Sequence, residues 1–128
     1  MKDQIAVVTG GAQGIGLAVA HLLAEQGARV ASWDIDPGNG AAMSELGDGT
    51  LAIECDITDL ASVEAAYART CDLLGTPSIL VNSAGIAGPN APLESYGVEE
   101  WHRVIDINLN GTFLSLIHIS EPTRLRRI

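Results

Sequence analysis

Four short apolar runs alternate along the chain with longer segments of helical periodicity, and this alternation permits very few folds. The first run is rich in β-branched residues and is followed by glycines, as is typical of a buried strand, and the other three are similarly short. They span Gln4–Thr9, Arg29–Trp33, Leu51–Cys55 and Ser78–Asn82. Strands that alternate with helices pair in parallel through right-handed crossovers. The sequence therefore predicts an α/β fold built on a doubly wound parallel sheet.

The helices between these strands are predicted from apolar spacing and from their boundary residues. Gly27 follows the first segment, where a glycine commonly ends a helix, and Pro37 suits the first turn of the second. Apolar residues recur on one stripe of the third. The predicted segments are Gly14–Gln26, a weaker helix after Pro37, a helix that starts near Thr58 or Asp59, and Val98–Phe113.

Composition and charge narrow the class of protein. The 128 residues fit one domain, and a net charge of −9 argues against nucleic acid or an anionic membrane as partner. No apolar segment approaches the roughly 18 residues needed to span a bilayer. The chain is therefore expected to be cytoplasmic, with Cys55 and Cys71 reduced. His21 and His102 have no partners at metal-ligand spacing, so no metal site is predicted.

The stretch "TGGAQGIG", Thr9–Gly16, joins the first strand to the first helix. Backbone N–H groups at a helix N-terminus are unpaired and carry the positive end of the helix dipole, so they favour a pyrophosphate. Glycines let that group approach the main chain closely. The alternative is a tight turn without a ligand. "GDGTLA", Gly47–Ala52, also fits a glycine motif, but it precedes a strand and is interpreted as a turn.

Asp34 supports the interpretation of this loop as a cofactor site. It closes the second predicted strand, near the position where an acid accepts hydrogen bonds from an adenosine ribose. A carboxylate there would repel the extra 2′-phosphate of NADP, and no arginine follows Asp34 before Arg69. The predicted cofactor is therefore NAD, in preference to NADP.

Four ordered motifs resemble the short-chain dehydrogenase/reductase family. The glycine loop is similar to the family's TGxxxGxG fingerprint, and "CDITD" is similar to the segment after its third strand. "VNSAG" is similar to its NNAG motif, with Ser83 in place of the second Asn, and "VIDINLNGTF" is similar to its fourth helix. The resemblance implies a Rossmann-type sheet that binds its cofactor through Gly10, Gln13, Gly14, Ile15, Gly16, Asp34, Ile35, Asp56, Ile57, Asn82, Ala84 and Gly85. It also implies a small-molecule substrate and a homodimeric or homotetrameric parent enzyme.

Asn108 is the one catalytic residue that the resemblance places in this chain, where the matching Asn bends the helix and holds a water of the proton relay. Spacing on the predicted fourth helix places Asn108 on a crowded apolar face, together with Trp101, Val104, Ile105 and Phe113. A buried amide must find a hydrogen-bond partner. A purely structural Asn or a helix kink is the alternative interpretation.

The rest of the family's catalytic machinery is not found in the sequence. The family uses a Ser, a Tyr and a Lys four residues after the Tyr, but Cys71 and Glu100 stand four residues after Tyr67 and Tyr96. We therefore expect an NAD(H)-dependent oxidoreductase that interconverts an alcohol and a ketone, truncated after the fourth strand and fourth helix and inactive. A non-catalytic nucleotide-binding module is the alternative, and an epimerase site on the same fold is a third option.

The C-terminal fifteen residues differ from everything before them. Pro122 stops any helix, and Arg124, Arg126 and Arg127 reverse the acidic balance. Residues 114–128 resemble a sequencing-library adapter translated as coding DNA, with a natural divergent terminus as the alternative. The predicted organisation is a cofactor-binding half-domain over residues 1–113 and a non-native tail over residues 114–128.

Overall fold

The computed structural model describes residues 2–86 and 91–117, and within these ranges it forms one four-stranded sheet. All three strand pairs are parallel and the strand order is β3-β2-β1-β4. The strands are β1 Ile5–Thr9, β2 Arg29–Asp34, β3 Thr50–Glu54 and β4 Ile79–Asn82. This order confirms the predicted doubly wound sheet, with its switch point between β1 and β4.

The helices follow the predicted order, with one departure in the fourth. They are α1 Gly14–Glu25, α2 Asn39–Glu45, α3 Leu60–Leu73 and α4 Val98–Ile105, with a short 3-10 turn at Leu93–Ser95. After α4 the chain makes a π-helical turn, Asp106–Asn110, and returns to α-helix over residues 111–117. The helix therefore runs four residues beyond the boundary predicted at residue 113. The rest of the predicted tail, residues 118–128, lies outside the described residues.

Alternating side chains of the strands bury both faces of the sheet. On one face Val7, Ala31 and Trp33 pack against α3, and on the other Ala6, Val8 and Val30 pack against α1 and α2. Successive strand residues point to opposite faces, so a parallel strand covered on both sides needs a continuous apolar run. The strand signal in the sequence has this origin. None of the helices in the two described ranges is long and apolar enough to cross a bilayer.

Trp33 fixes α3 to the sheet through a polar contact inside the core. The Trp33 side chain is fully buried, and its Nε1–H donates to Thr70 Oγ1 at 3.0 Å. The Thr70 hydroxyl in turn donates to the Ala66 carbonyl at 2.8 Å. Because every polar atom of this pair is satisfied, the indole gains its burial energy without leaving an unpaired donor.

Thr9 joins the carboxyl ends of β1 and β4, where the candidate site lies. The Thr9 hydroxyl is buried, and its Oγ1 accepts from the backbone N–H groups of Ser83 at 3.2 Å and Ala84 at 3.3 Å. On the other side, the Gly10 N–H donates to the Trp33 carbonyl at 2.9 Å. The carboxyl ends of β1, β2 and β4 are therefore held together on the side of the sheet where the candidate site lies.

Candidate functional site

A cleft of about 580 Å³ opens at the carboxyl ends of the strands, beside the switch point. Open α/β sheets bind their ligands in this position. Its walls come from the loops after all four strands and from α4. Nine of the twelve cofactor-binding residues predicted from the sequence line it: Gly10, Gln13, Ile15, Asp34, Ile35, Asp56, Ile57, Ala84 and Gly85.

The other three predicted residues, Gly14, Gly16 and Asn82, do not line the cleft. Asn82 ends β4. Gly16 is buried beneath the loop, where an added Cβ would lie 2.0 Å from the Gly10 carbonyl oxygen. Only glycine therefore allows the first turn of α1 to pack this closely on the end of β1.

Gly14 combines a left-handed backbone with open surroundings. Its φ is +62°, and apart from its chain neighbours and the backbone of α1 an added Cβ would meet no described atom within 4 Å. It is the first residue of α1, and the preceding Gln13 makes no side-chain cap hydrogen bond. The first-turn N–H groups of α1 therefore face space that an anionic group can fill.

Asp34 occupies the end of β2, as predicted, and its carboxylate is already hydrogen-bonded. Oδ2 accepts from the Ala12 backbone N–H at 3.0 Å, and Oδ1 accepts from the Asp36 backbone N–H at 2.9 Å. The first of these bonds joins residues that are far apart in sequence and ties the glycine-rich loop to β2. No motif in the sequence indicates this bond.

The apolar walls of the cleft differ in how far they are exposed. Ile15 is 79% exposed and Ile35 is 68% exposed, so two large apolar side chains stand at its mouth. Ile57 is buried and contacts the helix near Gly111, where an added Cβ would lie 2.6 Å from Ile57 Cδ1. Asp56 is exposed, and its Oδ1 accepts from the Thr58 N–H at 2.9 Å and the Thr58 hydroxyl at 2.6 Å.

The prediction that Asn108 is a buried amide among apolar neighbours is wrong. Asn108 is exposed, as are Trp101 and Phe113 on the same helix. The physical reason is that the described residues leave this face of the helix uncovered, since Trp101, which precedes the π-helical turn, is exposed as well. The Asn108 side chain does find a partner. Its Nδ2 donates to the Ile86 carbonyl at 2.7 Å, and its Oδ1 accepts from the Ile86 N–H at 2.9 Å.

Several lining residues were not predicted, among them Asp36, Ile86, Arg103 and Ile107. Arg103 and Ile107 lie one turn apart on the helical segment before Asn108, so their spacing could have placed them on the face toward the cleft. Arg103 is the only cationic side chain among the described lining residues. No group of His, Cys, Asp and Glu side chains in the described chain could hold a metal ion.

Cys55 lines the cleft, and we expect its thiol to be inert. Burial raises the pKa of the Cys55 thiol to about 11. At pH 8 about one molecule in a thousand then carries the reactive thiolate. Cys71 is half-buried and serves as the internal comparison. Mass spectrometry after iodoacetamide treatment at pH 8 should find Cys71 labelled first, and equal labelling of the two cysteines would contradict this expectation.

Comparison with known proteins agrees with this architecture. A family model described as short chain dehydrogenase matches residues 4–122. The chain is 44% identical over 115 residues to the cis-4-hydroxycyclohexanecarboxylate dehydrogenase of Sinomonas cyclohexanicum, covering 88% of this chain and 46% of that protein. It is 43% identical over 108 residues to the 2-dehydro-3-deoxy-L-rhamnonate dehydrogenase (NAD(+)) of Sphingomonas sp. (strain SKA58), covering 84% and 43%.

The fold resembles solved structures of the same kind. The 3-ketoacyl-(acyl-carrier-protein) reductase of Brucella melitensis, complexed with NADH, superposes with a TM-score of 0.88 at 34% identity, covering 90% of this chain and 48% of that one. The parallel sheet and its helices define a Rossmann-type α/β protein. The chain belongs to the short-chain dehydrogenase family, whose members are oxidoreductases that use a nicotinamide cofactor on small-molecule substrates. It spans about half the length of the curated relatives it matches.

Proposed function

We propose that this chain is the cofactor-binding half of an NAD(H)-dependent dehydrogenase that interconverts an alcohol and a ketone. The observation that carries the proposal is the position of Asp34, at the end of β2 and within the same cleft as the glycine-rich loop. In a dinucleotide site the loop takes the pyrophosphate and this acid takes the adenosine ribose. The parent enzyme would act on a small molecule as a homodimer or homotetramer.

The described residues fit a dinucleotide. The uncapped first turn of α1 offers backbone N–H donors, and the open space at Gly14 lets a phosphate approach them. Ile15 and Ile35 give the exposed apolar surface at the cleft mouth that a bound nucleotide would cover. Asp56 and Ile57 also line the cleft and, by the resemblance, would flank the adenine ring.

Discrimination between NAD and NADP would depend on charge near Asp34. The 2′-phosphate of NADP would approach the Asp34 carboxylate, where like charges repel. Asp36 adds a second acid to the same part of the cleft. Arg103 also lines the cleft, but from α4 and not from the β2 loop, so we expect it to leave the preference for NAD unchanged.

Bound NAD would supply the hydride acceptor, and the residues of this chain would position it. Asn82, Ala84 and Gly85 would form the wall after β4. Asn108 would hold that wall through its two hydrogen bonds to Ile86. Its backbone carbonyl lies in the π-helical turn and accepts from the Thr112 hydroxyl at 3.0 Å, and by the resemblance the family's proton relay would pass the helix at this turn. We propose this turn as the contribution of the chain to the relay.

Replacing Asp34 tests the proposed cofactor. The protein is the restored enzyme, in which residues 1–113 are joined to the C-terminal half of the Sinomonas relative. Because a hydrogen bond to a charged group is worth ~1.5–3 kcal/mol, Asp34→Ala should weaken NAD binding by roughly 10- to 150-fold. The measurement is calorimetric titration with NADH and NADPH.

The controls separate charge from position. Arg103→Ala should leave the ratio of NADH to NADPH affinity unchanged, because this side chain lies on α4 and Asp34 ends β2. Tighter binding of NADPH than of NADH by the unsubstituted restored enzyme would contradict the proposed preference.

A further inference from the structure

The hydrogen bonds of Asp34 assign it a second role, which rests on the proposed function. The glycine-rich loop lies directly on the end of β2 at three successive residues. Gly10 donates to the Trp33 carbonyl at 2.9 Å, and an added Cβ on Gly11 would lie 2.4 Å from Ser32 Oγ. The third contact is the bond from the Ala12 N–H to Asp34 Oδ2. The Gly10 contact is made with the β2 backbone and the Gly11 contact with the small side chain of Ser32, whereas the Ala12 contact depends wholly on the Asp34 carboxylate.

We propose that Asp34 is a positioning residue for the glycine-rich loop as well as a ribose acceptor. With Oδ2 on Ala12 and Oδ1 on Asp36, the carboxylate fixes two loops before any nucleotide binds. A hydrogen bond to an ionised acceptor is shorter and stronger than a neutral one, which suits a bond that must hold a glycine-rich segment in place. Ordering the loop in advance removes an entropy cost from cofactor binding.

The two roles are compatible at one carboxylate. Two carboxylate oxygens offer about four acceptor positions, and the backbone donors of Ala12 and Asp36 use two of them. The others remain for ribose hydroxyls. The loop-positioning role makes a prediction that the ribose role does not, because it requires Asp34 to matter for ligands that contain no adenosine.

The first measurement needs no ligand. Amide hydrogen exchange at Ala12 is followed by NMR in the cofactor-free restored enzyme, with Asp34→Asn, Asp34→Glu and the unsubstituted protein compared. Asn keeps only one side-chain oxygen, and the longer Glu side chain moves both carboxylate oxygens away from their present positions. Each substitution should therefore accelerate Ala12 exchange by roughly tenfold or more. The matched control is Asp36→Asn, which removes the same charge from the same cleft. The Asp36 carboxylate accepts only from the local Gly38 N–H in the described structure, so Ala12 exchange should be unchanged.

The second measurement joins the contact to function. Reduced nicotinamide mononucleotide, which has a phosphate but no adenosine, is titrated against the same variants by fluorescence. Asp34→Asn should weaken its binding by roughly fivefold or more, while Asp36→Asn should not. The KM for NAD should rise in Asp34→Asn, with kcat at saturating NAD unchanged within about twofold, because a loop that is bound by the cofactor regains its order.

The outcomes separate this proposal from the proposed function. Unchanged Ala12 exchange in both Asp34 variants overturns the positioning role while NADH binding by the unsubstituted enzyme still stands. If Ala12 exchange becomes faster in the Asp34 variants but mononucleotide binding is unaltered, Asp34 makes only a structural contact, and the positioning role is again overturned. Failure of the unsubstituted restored enzyme to bind NADH overturns the proposed function instead, whatever the exchange data show.

Discussion

Gly14→Val should abolish NADH binding by the restored enzyme while leaving its secondary structure intact. The branched side chain would fill the space in front of the first-turn N–H groups of α1, where we place the pyrophosphate. Loss of two amide–phosphate hydrogen bonds at ~1.5 kcal/mol each corresponds to more than about 100-fold in affinity. NADH fluorescence enhancement measures binding, and circular dichroism follows the fold.

The physical reason for this effect differs from the one that the motif alone indicates. A glycine-rich turn leads one to expect that valine would also clash with the loop itself, but an added Cβ meets no atom within 4 Å apart from its chain neighbours and its own helix backbone. Valine would still destabilise the protein by ~1–2 kcal/mol, because at φ +62° it would have to adopt a left-handed backbone conformation.

Gly47 provides a control matched for this strain. Its φ is +95°, an added Cβ there also meets nothing within 4 Å, and it lies in the turn between α2 and β3, away from the cleft. Gly47→Val should therefore lose similar stability and retain NADH binding. Near-normal fluorescence enhancement in Gly14→Val would refute our placement of the phosphate. An equal loss in Gly47→Val would trace the effect to strain.

The fold could be predicted because its signals are local. A strand buried on both faces must be apolar throughout, and a glycine or proline marks where a helix stops or starts. Asp34 could be assigned to the cleft for the same reason. It is the last residue of β2, whose end lies, by topology, beside the loop after β1.

The features that escaped prediction depend on contacts between distant residues. Nothing near Asp34 in sequence indicates that its carboxylate holds Ala12, twenty-two positions away. Asn108 was misplaced because apolar spacing marks one face of a helix but does not show what packs against it, and the described residues leave this face exposed. Arg103 was missed because a lone arginine on an amphipathic helix is ordinarily solvated, and its spacing with Ile107 indicates a shared face without showing that this face lines the cleft.

The largest effect should come from replacing the C-terminal residues. We expect the 128-residue chain to aggregate and to show no dehydrogenase turnover, and the restored enzyme to be soluble and active with NAD. Within the described residues β4 pairs only with β1, so its other edge carries unpaired backbone groups. Along the helical segment over residues 98–117, Trp101, Leu109 and Phe113 are each more than half exposed. An open parallel edge beside an exposed apolar face favours self-association.

Chemistry should fail in the 128-residue chain for a separate reason. Neither tyrosine of the sequence is followed by a lysine at the spacing that the family uses, so the carbonyl oxygen of a ketone would have no proton donor. Light scattering and NADH formation from a panel of secondary alcohols measure the two effects independently.

The matched control is the restored enzyme with the grafted Tyr of its Tyr-x-x-x-Lys segment changed to Phe. This variant should remain soluble, bind NADH and lose turnover by roughly 100-fold or more, the scale of general acid catalysis. Measurable turnover by the purified 128-residue chain would refute the proposal that catalysis needs the grafted half. A monomeric chain with a cooperative melting transition would instead favour a nucleotide-binding module that folds by itself.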